Sequence, residues 1–402
     1  MENLKKNTIY ISLMQLILLI VNLLIITLIS RNYGAEVYGE YASAKSFSVL
    51  IGTAAVLSLA LVVTRDRAKN QDTDLIIFAN SYSVVLENLL IAILVIIPAS
   101  LVLNRNLIMS LLFLFSFVIN ELIHIALAYF QSKGDFVTSS KQIIYRTLAY
   151  GTGSIFILSY KISIFYFLYF QVFLLFISLL YAHYSIPEKN KKIVLKDKGN
   201  NKKQLRKSGK KMVLTTLSSA LISEFDILLL ALFYNGSILG VLAWTRRILE
   251  ILFQIIAASL DIIFPELSKE INSIKILKIR KKLFIFSVML FSIPLIYYFF
   301  VDLGTEIFTL LLGSEFKDVS KFTFQVLFAL PLMVWSRVNI IYARALNYEI
   351  KITKAIFFSC FLSVGIYYFL NSNEYNFPII SIIMTQLLLA IVSTLSIRKS
   401  YA

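Results

Sequence analysis

The sequence predicts an all-α polytopic membrane protein of about twelve transmembrane helices in two six-helix bundles. Three observations predict it. Of the 402 residues, 58% are hydrophobic and only 15% charged, which is more apolar surface than a water-soluble core could cover. Apolar stretches of about 20 residues, the length that crosses a hydrocarbon core of roughly 30 Å, follow one another nearly end to end. A short motif also recurs near mid-chain: Tyr33 to Lys45, YGAEVYGEYASAK, returns as Tyr234 to Arg246, YNGSILGVLAWTR. In register, Tyr33 matches Tyr234, Gly39 matches Gly240, Ala42 matches Ala243 and Lys45 matches Arg246.

The first predicted span, 8–30, is too long for a signal-peptide core and no small-residue cleavage site follows it, so it reads as a retained helix. The second, 39–64, begins inside the motif and stops before Arg65, Arg67 and Lys69. The third, 75–99, places Asn80, Ser83 and Glu87 on one helical face; the fourth, 107–131, does the same with Asn120, Glu121 and His124. Arg146 stands in the fifth, 138–159, and the sixth, 163–186, closes an N-terminal bundle over 1–186. Residues 187–211 form a basic linker with eleven Lys/Arg against Glu188 and Asp197. In the seventh span, 212–234, Thr215, Ser219, Ser223 and Asp226 share a face, with Glu224 beside them. The eighth, 238–264, carries Arg246, Glu250, Gln254 and Asp261 at steps of four, four and seven. The ninth, 283–301, the tenth, 321–343, with Arg337, the eleventh, 354–371, and the twelfth, 377–397, complete a C-terminal bundle over 212–402.

Loop charges orient these spans. Loops on the side of the N-terminus hold 29 of the 39 Lys/Arg and the opposite loops hold 5, so both termini and the basic linker are expected in the cytoplasm. Six spans separate the two motif copies, which puts both turns on one face. The halves are then parallel repeats about an axis along the membrane normal, an arrangement that places a substrate site between bundles.

Several chemistries are excluded. The net charge of +16 sits at membrane edges, which argues against nucleic acid as a partner. No phosphate-binding G-x-x-x-x-G-K-[ST] loop occurs. Two histidines and one cysteine, Cys360, build neither a metal cluster nor a disulfide. The lone D-x-D, Asp72 to Asp74, sits in a short loop and reads as solvated. No cofactor is expected, and the chain reads as a secondary transporter rather than an enzyme.

The remaining five cations, Lys45, Arg146, Arg246, Arg247 and Arg337, lie inside spans, where a charge costs at least ~2.5–3.5 kcal/mol unless it faces protein or water. At about 1.5 Å per residue, Glu87, Glu121, Glu224 and Asp226 fall near mid-membrane. Lys45 and Arg246 then fall toward the outer side, and Arg146 and Arg337 toward the cytoplasm. Cations near both mouths with acids between them suit a path for an anionic group coupled to H⁺ or Na⁺. A blander reading stands beside each: Arg246 with Glu250 is equally an i,i+4 structural ion pair, Arg247 a packing residue, His124 a satisfied polar residue, and Lys45 a side chain snorkelling outward.

These residues resemble a known family. RNYGAEVYGEYASAKS is similar to the first loop and second helix of the Wzx-type polysaccharide (O-antigen) flippases of the MOP superfamily, which also holds the MATE exporters and the lipid II flippase. FQSKGDFVTSSKQIIYRT resembles that family's cytoplasmic turn, LLLGSEFKDVS its outer loop, and the stretch from Glu224 to Lys269 its seventh and eighth helices, with Asp226 and Pro265. The resemblance implies a MATE-like, two-lobed flippase in the bacterial inner membrane. Its cargo would be an undecaprenyl-diphosphate-linked oligosaccharide, and its partners membrane lipid, a glycan polymerase and assembly proteins. Arg246, Arg146, Arg337, Lys45 and Arg247 are then expected to hold pyrophosphate and sugar, since a guanidinium fork suits an anion with several acceptor oxygens. Asp226, Glu87, Glu121, Glu250, Glu224 and His124 are expected to serve ion coupling. A MATE-like cation antiporter, a membrane glycosyltransferase or polymerase, and an assembly scaffold are the rival readings. The first conflicts with five intramembrane cations, the second with the short outer loops.

Overall fold

A computed structural model describes residues 2–69, 74–102, 105–133, 135–186, 200–261, 273–345, 349–369 and 377–398. Within the described residues each of the predicted spans falls mainly on helix. Helix α1, Glu2–Val56, carries the first two spans as one run broken at Gly34, whose φ of 82° favours glycine. The second half stops at Leu57 and Ser58, both at positive φ, and resumes as α2, Leu59–Lys69. Then follow α3 (Asp74–Val102), α4 (Leu107–Ser132), α5 (Phe136–Ser159), α6 (Ile164–Tyr184), α7 (Asn200–Phe233) and α8 (Gly236–Asp261). The chain continues with α9 (Ser273–Met289), α10 (Ser292–Tyr298), α11 (Val301–Leu312), α12 (Val319–Val326), α13 (Leu330–Ala345), α14 (Glu349–Phe369) and α15 (Phe377–Arg398). Among the described residues five helices are long and apolar enough to cross a membrane, or seven when each of two bent pairs is one span. The ninth predicted span is one of those pairs: Lys278–Tyr298 and Val301–Leu312 meet at a 75° bend.

Apolar side chains cover the outside as well as the inside. Leu94 is 72% exposed, Phe299 83% and Phe361 85%, a surface that hydrocarbon and not water would cover. The protein is a multi-pass membrane protein.

The chain divides into two compact units, 1–33 with 43–217 and 34–42 with 218–402. In the first, α4 packs on α2, α3 and α6. Leu114, Val118, Ile125 and Leu127 of α4 are fully buried there. Asn106 starts that helix by accepting from the Met109 N–H (3.1 Å), and Asp135 starts α5 by accepting from the Thr138 N–H (3.0 Å). The final part of the basic segment, expected as linker, is helical from Asn200. Its earlier part, 187–199, lies outside the described residues.

In the second unit α8 packs on α12 and α13, and α15 packs on α13 and α14. The segment 34–42 belongs here, and it brings the two motif copies into contact. A Cβ added at Gly39 would lie 2.8 Å from the Gly240 nitrogen, and one at Gly240 would strike the Ala35 carbonyl. Gly39 and Gly240 are equivalent positions of the repeat, and absence of a side chain lets the backbones meet. Tyr38 lies beside Trp244, ring centroids 5.9 Å apart. Glu315, in the 3₁₀ turn Ser314–Phe316, accepts from the Ala35 N–H at 2.7 Å and so caps the helical half that restarts after Gly34.

Candidate functional site

The charged residues expected in the membrane fall into three groups. In the second unit Arg246 and Asp226 form a tight pair, Nε to Oδ2 at 3.0 Å, with both side chains 1% exposed. Gln386 of α15 donates to the same carboxylate oxygen at 3.1 Å, and a second guanidinium nitrogen reaches the Ser223 carbonyl at 3.3 Å. The expected i,i+4 pairing of Arg246 with Glu250 gives way to a different arrangement. Asp226 on the neighbouring helix takes Arg246, while Glu250 accepts from Arg247 at 2.7 Å, one turn back along α8. Gln254 also donates to Glu250, at 2.8 Å. Glu224 and Arg337 lie half-buried in this unit, on α7 and α13. The side chains of Thr215, Ser219, Asp261 and Arg344, and all of Pro265, lie outside the described residues.

In the first unit Arg146 of α5 is half-buried and donates to the side-chain carbonyl of Asn120 on α4 at 2.7 Å. No carboxylate pairs with it among the described residues. Glu121 and His124, half-buried on α4, make no hydrogen bond or ion pair among the described residues. This is an arginine held by a neutral partner, with an unengaged carboxyl and an imidazole on the helix it is bonded to. Lys45 lies half-buried in the second half of α1.

The third group departs from the expected mid-membrane acid. Glu87 is 44% exposed and meets the basic segment: Lys202 at 3.1 Å, Arg206 through its second oxygen, and Ser83 at 2.9 Å on its own helix.

Three participants carried no sequence signal. Gln386 is an isolated amide in an apolar helix, yet fully buried on Asp226. Arg280 reads as one of a run of loop cations, but donates to buried Asn339 at 3.0 Å and lies over the rings of Trp335 and Tyr342. Trp335 in turn donates to Thr394 (2.9 Å), and Asn339 to Ser393 and Thr394 (3.0 and 3.1 Å). Glu315 reads as an outer-loop acid and is a helix cap.

This helical architecture is shared with solved transporters. It matches an inward-facing multidrug resistance MATE family transporter of the MOP superfamily with a TM-score of 0.69 at 14% identity, over 94% of each chain. The lipid II flippase MurJ, in an inward closed conformation, matches with a TM-score of 0.70 at 14% identity, over 96% of this chain and 87% of that one. A MATE transporter from Vibrio cholerae matches at 0.60 and 12%, over 99% and 96%. The chain therefore shares the fold of these membrane transporters. No curated protein matches by sequence. Residues 4–270 match the family model described as polysaccharide biosynthesis protein, and the chain belongs to that family.

Proposed function

We propose that the protein is a flippase that moves an undecaprenyl-diphosphate-linked oligosaccharide from the cytoplasmic to the outer leaflet of the bacterial inner membrane by ion-coupled alternating access. Both termini and the basic segment lie in the cytoplasm. Membership of the polysaccharide biosynthesis family and a fold shared with the lipid II flippase support this reading. The observation that carries it is Arg146. A half-buried guanidinium on α5, bonded only to a neutral amide among the described residues, is an incomplete ion pair that a diphosphate oxygen would complete.

Lys45, Arg337 and Arg247 are further candidates for the headgroup path. Arg246 contributes through its pair with Asp226 and holds the second unit in shape. Glu121, with His124, is the coupling acid the geometry supports best, and H⁺ or Na⁺ the coupling ion. Glu87, Glu224 and Glu250 remain candidates for that role, although Glu87 and Glu250 already hold cations. A glycan polymerase and assembly proteins are the expected partners in the membrane.

Arg146→Gln in a deletion strain tests the proposal. Export should fall at least tenfold at unchanged membrane level, with lipid-linked repeat units trapped in the inner leaflet, and Arg146→Lys should recover part of it because charge is kept and only the fork is lost. Full export by Arg146→Gln removes this residue from the path.

A further inference from the structure

The first unit holds a second feature that the transport reading does not use. The basic start of α7 is amphipathic. Leu205 and Gly209 are buried, while Lys203, Arg206, Lys207 and Lys210 are exposed at steps of three, one and three, a single helical face. Gly209 sets this helix close on the chain break at Leu57: a Cβ there would lie 2.9 Å from both the Leu57 Cβ and its carbonyl oxygen. Ser58 and Thr216 hydrogen-bond across the same contact.

Beside this face opens a cleft of about 480 Å³ whose walls are apolar, among them Ile51, Ala55, Leu57, Ile91 and Val95. Its charged lining is Arg206 and Lys210. Asn88, also in the lining, donates its amide N–H to the Ala55 carbonyl at 2.8 Å, so the wall offers little else that is polar. Ile91 and Val95 are 61% and 48% exposed on the outward side of α3, which leaves the cleft open to hydrocarbon. Among the described residues Glu87 is the one carboxylate bonded to this helix face, against Lys202, Lys203, Arg206, Lys207 and Lys210.

We propose that this cleft binds an anionic phospholipid of the surrounding bilayer, with one acyl chain along Ile51, Ala55, Ile91 and Val95 and the phosphate against Arg206 and Lys210. Apolar walls continuous with hydrocarbon, ending at a net positive helix face, are complementary to that one amphiphile. Arg206 is shared between Glu87 and the headgroup, so Lys210 supplies the free charge. The inference requires only that the chain spans a bilayer with the basic segment at one face, and it stands or falls apart from the cargo proposed above.

The test uses the full chain in nanodiscs with a photoactivatable phosphatidylglycerol carrying its reactive group in the acyl chain. Labelling should map to α1 and α3 around Ala55, Ile91 and Val95. It should fall about tenfold in Lys210→Gln, which is ~1.4 kcal/mol and matches one lysine near a membrane surface. Ala54→Leu, at an exposed position of the lining, narrows the cleft without touching charge and should also reduce labelling while the melting temperature holds. Equal labelling by the phosphatidylcholine analogue, or unchanged labelling in Lys210→Gln, would overturn the proposal. Displacement of the label by undecaprenyl diphosphate but not by unlabelled phosphatidylglycerol would also overturn it, because the cleft would then belong to the cargo.

Discussion

Replacing Arg246 separates a structural charge from a transporting one. Arg246→Ala leaves the Asp226 carboxylate, 2% exposed, with Gln386 as its one remaining side-chain donor among the bonds described above. Breaking a buried pair by removing one partner costs about 3–5 kcal/mol, because the other charge stays buried. For a unit of this size 1 kcal/mol shifts the melting temperature by roughly 2–4 °C, so a loss on the order of 10 °C is expected. Asp226→Ala should cost on the same order, since it takes the carboxylate from a buried guanidinium. The double variant Asp226→Leu/Arg246→Met removes both charges at similar volume and should melt within a few degrees of the parent. Purified protein in detergent, followed by intrinsic fluorescence, measures the parent, the two single variants and the double variant as one set. Export by the same variants completes it: for a structural pair, the double variant recovers export together with stability. Arg246→Ala melting like the parent while export is lost would refute the structural assignment and return Arg246 to the cargo path.

Other substitutions test other parts of the fold. Gly240→Ala drives a Cβ into the Ala35 carbonyl, a backbone contact that cannot rotate away, and should destabilise by about 1–3 kcal/mol or more, read as a lower melting temperature. Gly365→Ala, a helical position with nothing within 4 Å of the new methyl, should be neutral or stabilise by about 0.5–1 kcal/mol, and an equal loss in both variants would refute the close-approach argument. Asn339→Leu removes the acceptor of Arg280 and the donor to Ser393 and Thr394, and should cost about 1–3 kcal/mol; an unchanged melting temperature would show the cluster to be incidental. Glu121→Gln should abolish the response of transport to a proton or Na⁺ gradient in proteoliposomes while leaving downhill movement of cargo, and transport that still follows the gradient would move coupling to another acid.

The helices were legible in the sequence because each depends on its own residues. Apolar runs of membrane-spanning length announce the spans, and the structure adds the caps Asn106 and Asp135 at the starts of α4 and α5. The repeat was legible for a related reason: a glycine at Gly39 and at Gly240 marks a position where backbones must touch, and they touch each other. The break at Leu57 and Ser58 was not legible, since neither residue favours positive φ; the close seat of Gly209 on Leu57 accompanies it from a position far along the chain.

Charge partners were the part that sequence spacing could not supply. Spacing along α8 proposes Glu250 for Arg246, because a single helix reveals only neighbours three or four residues apart. The actual partner, Asp226, and its second donor, Gln386, come from two other helices brought together by packing. The same logic makes Arg280 look like a loop cation until Asn339 and Trp335 arrive beneath it. An intramembrane arginine is therefore informative about an anionic cargo only after its partners are known, because a protein carboxylate satisfies it as well as a diphosphate does. By that criterion Arg246 and Arg247 each already hold a protein carboxylate within the second unit. Arg146, against the amide of Asn120, is the one proposed above to take the anion.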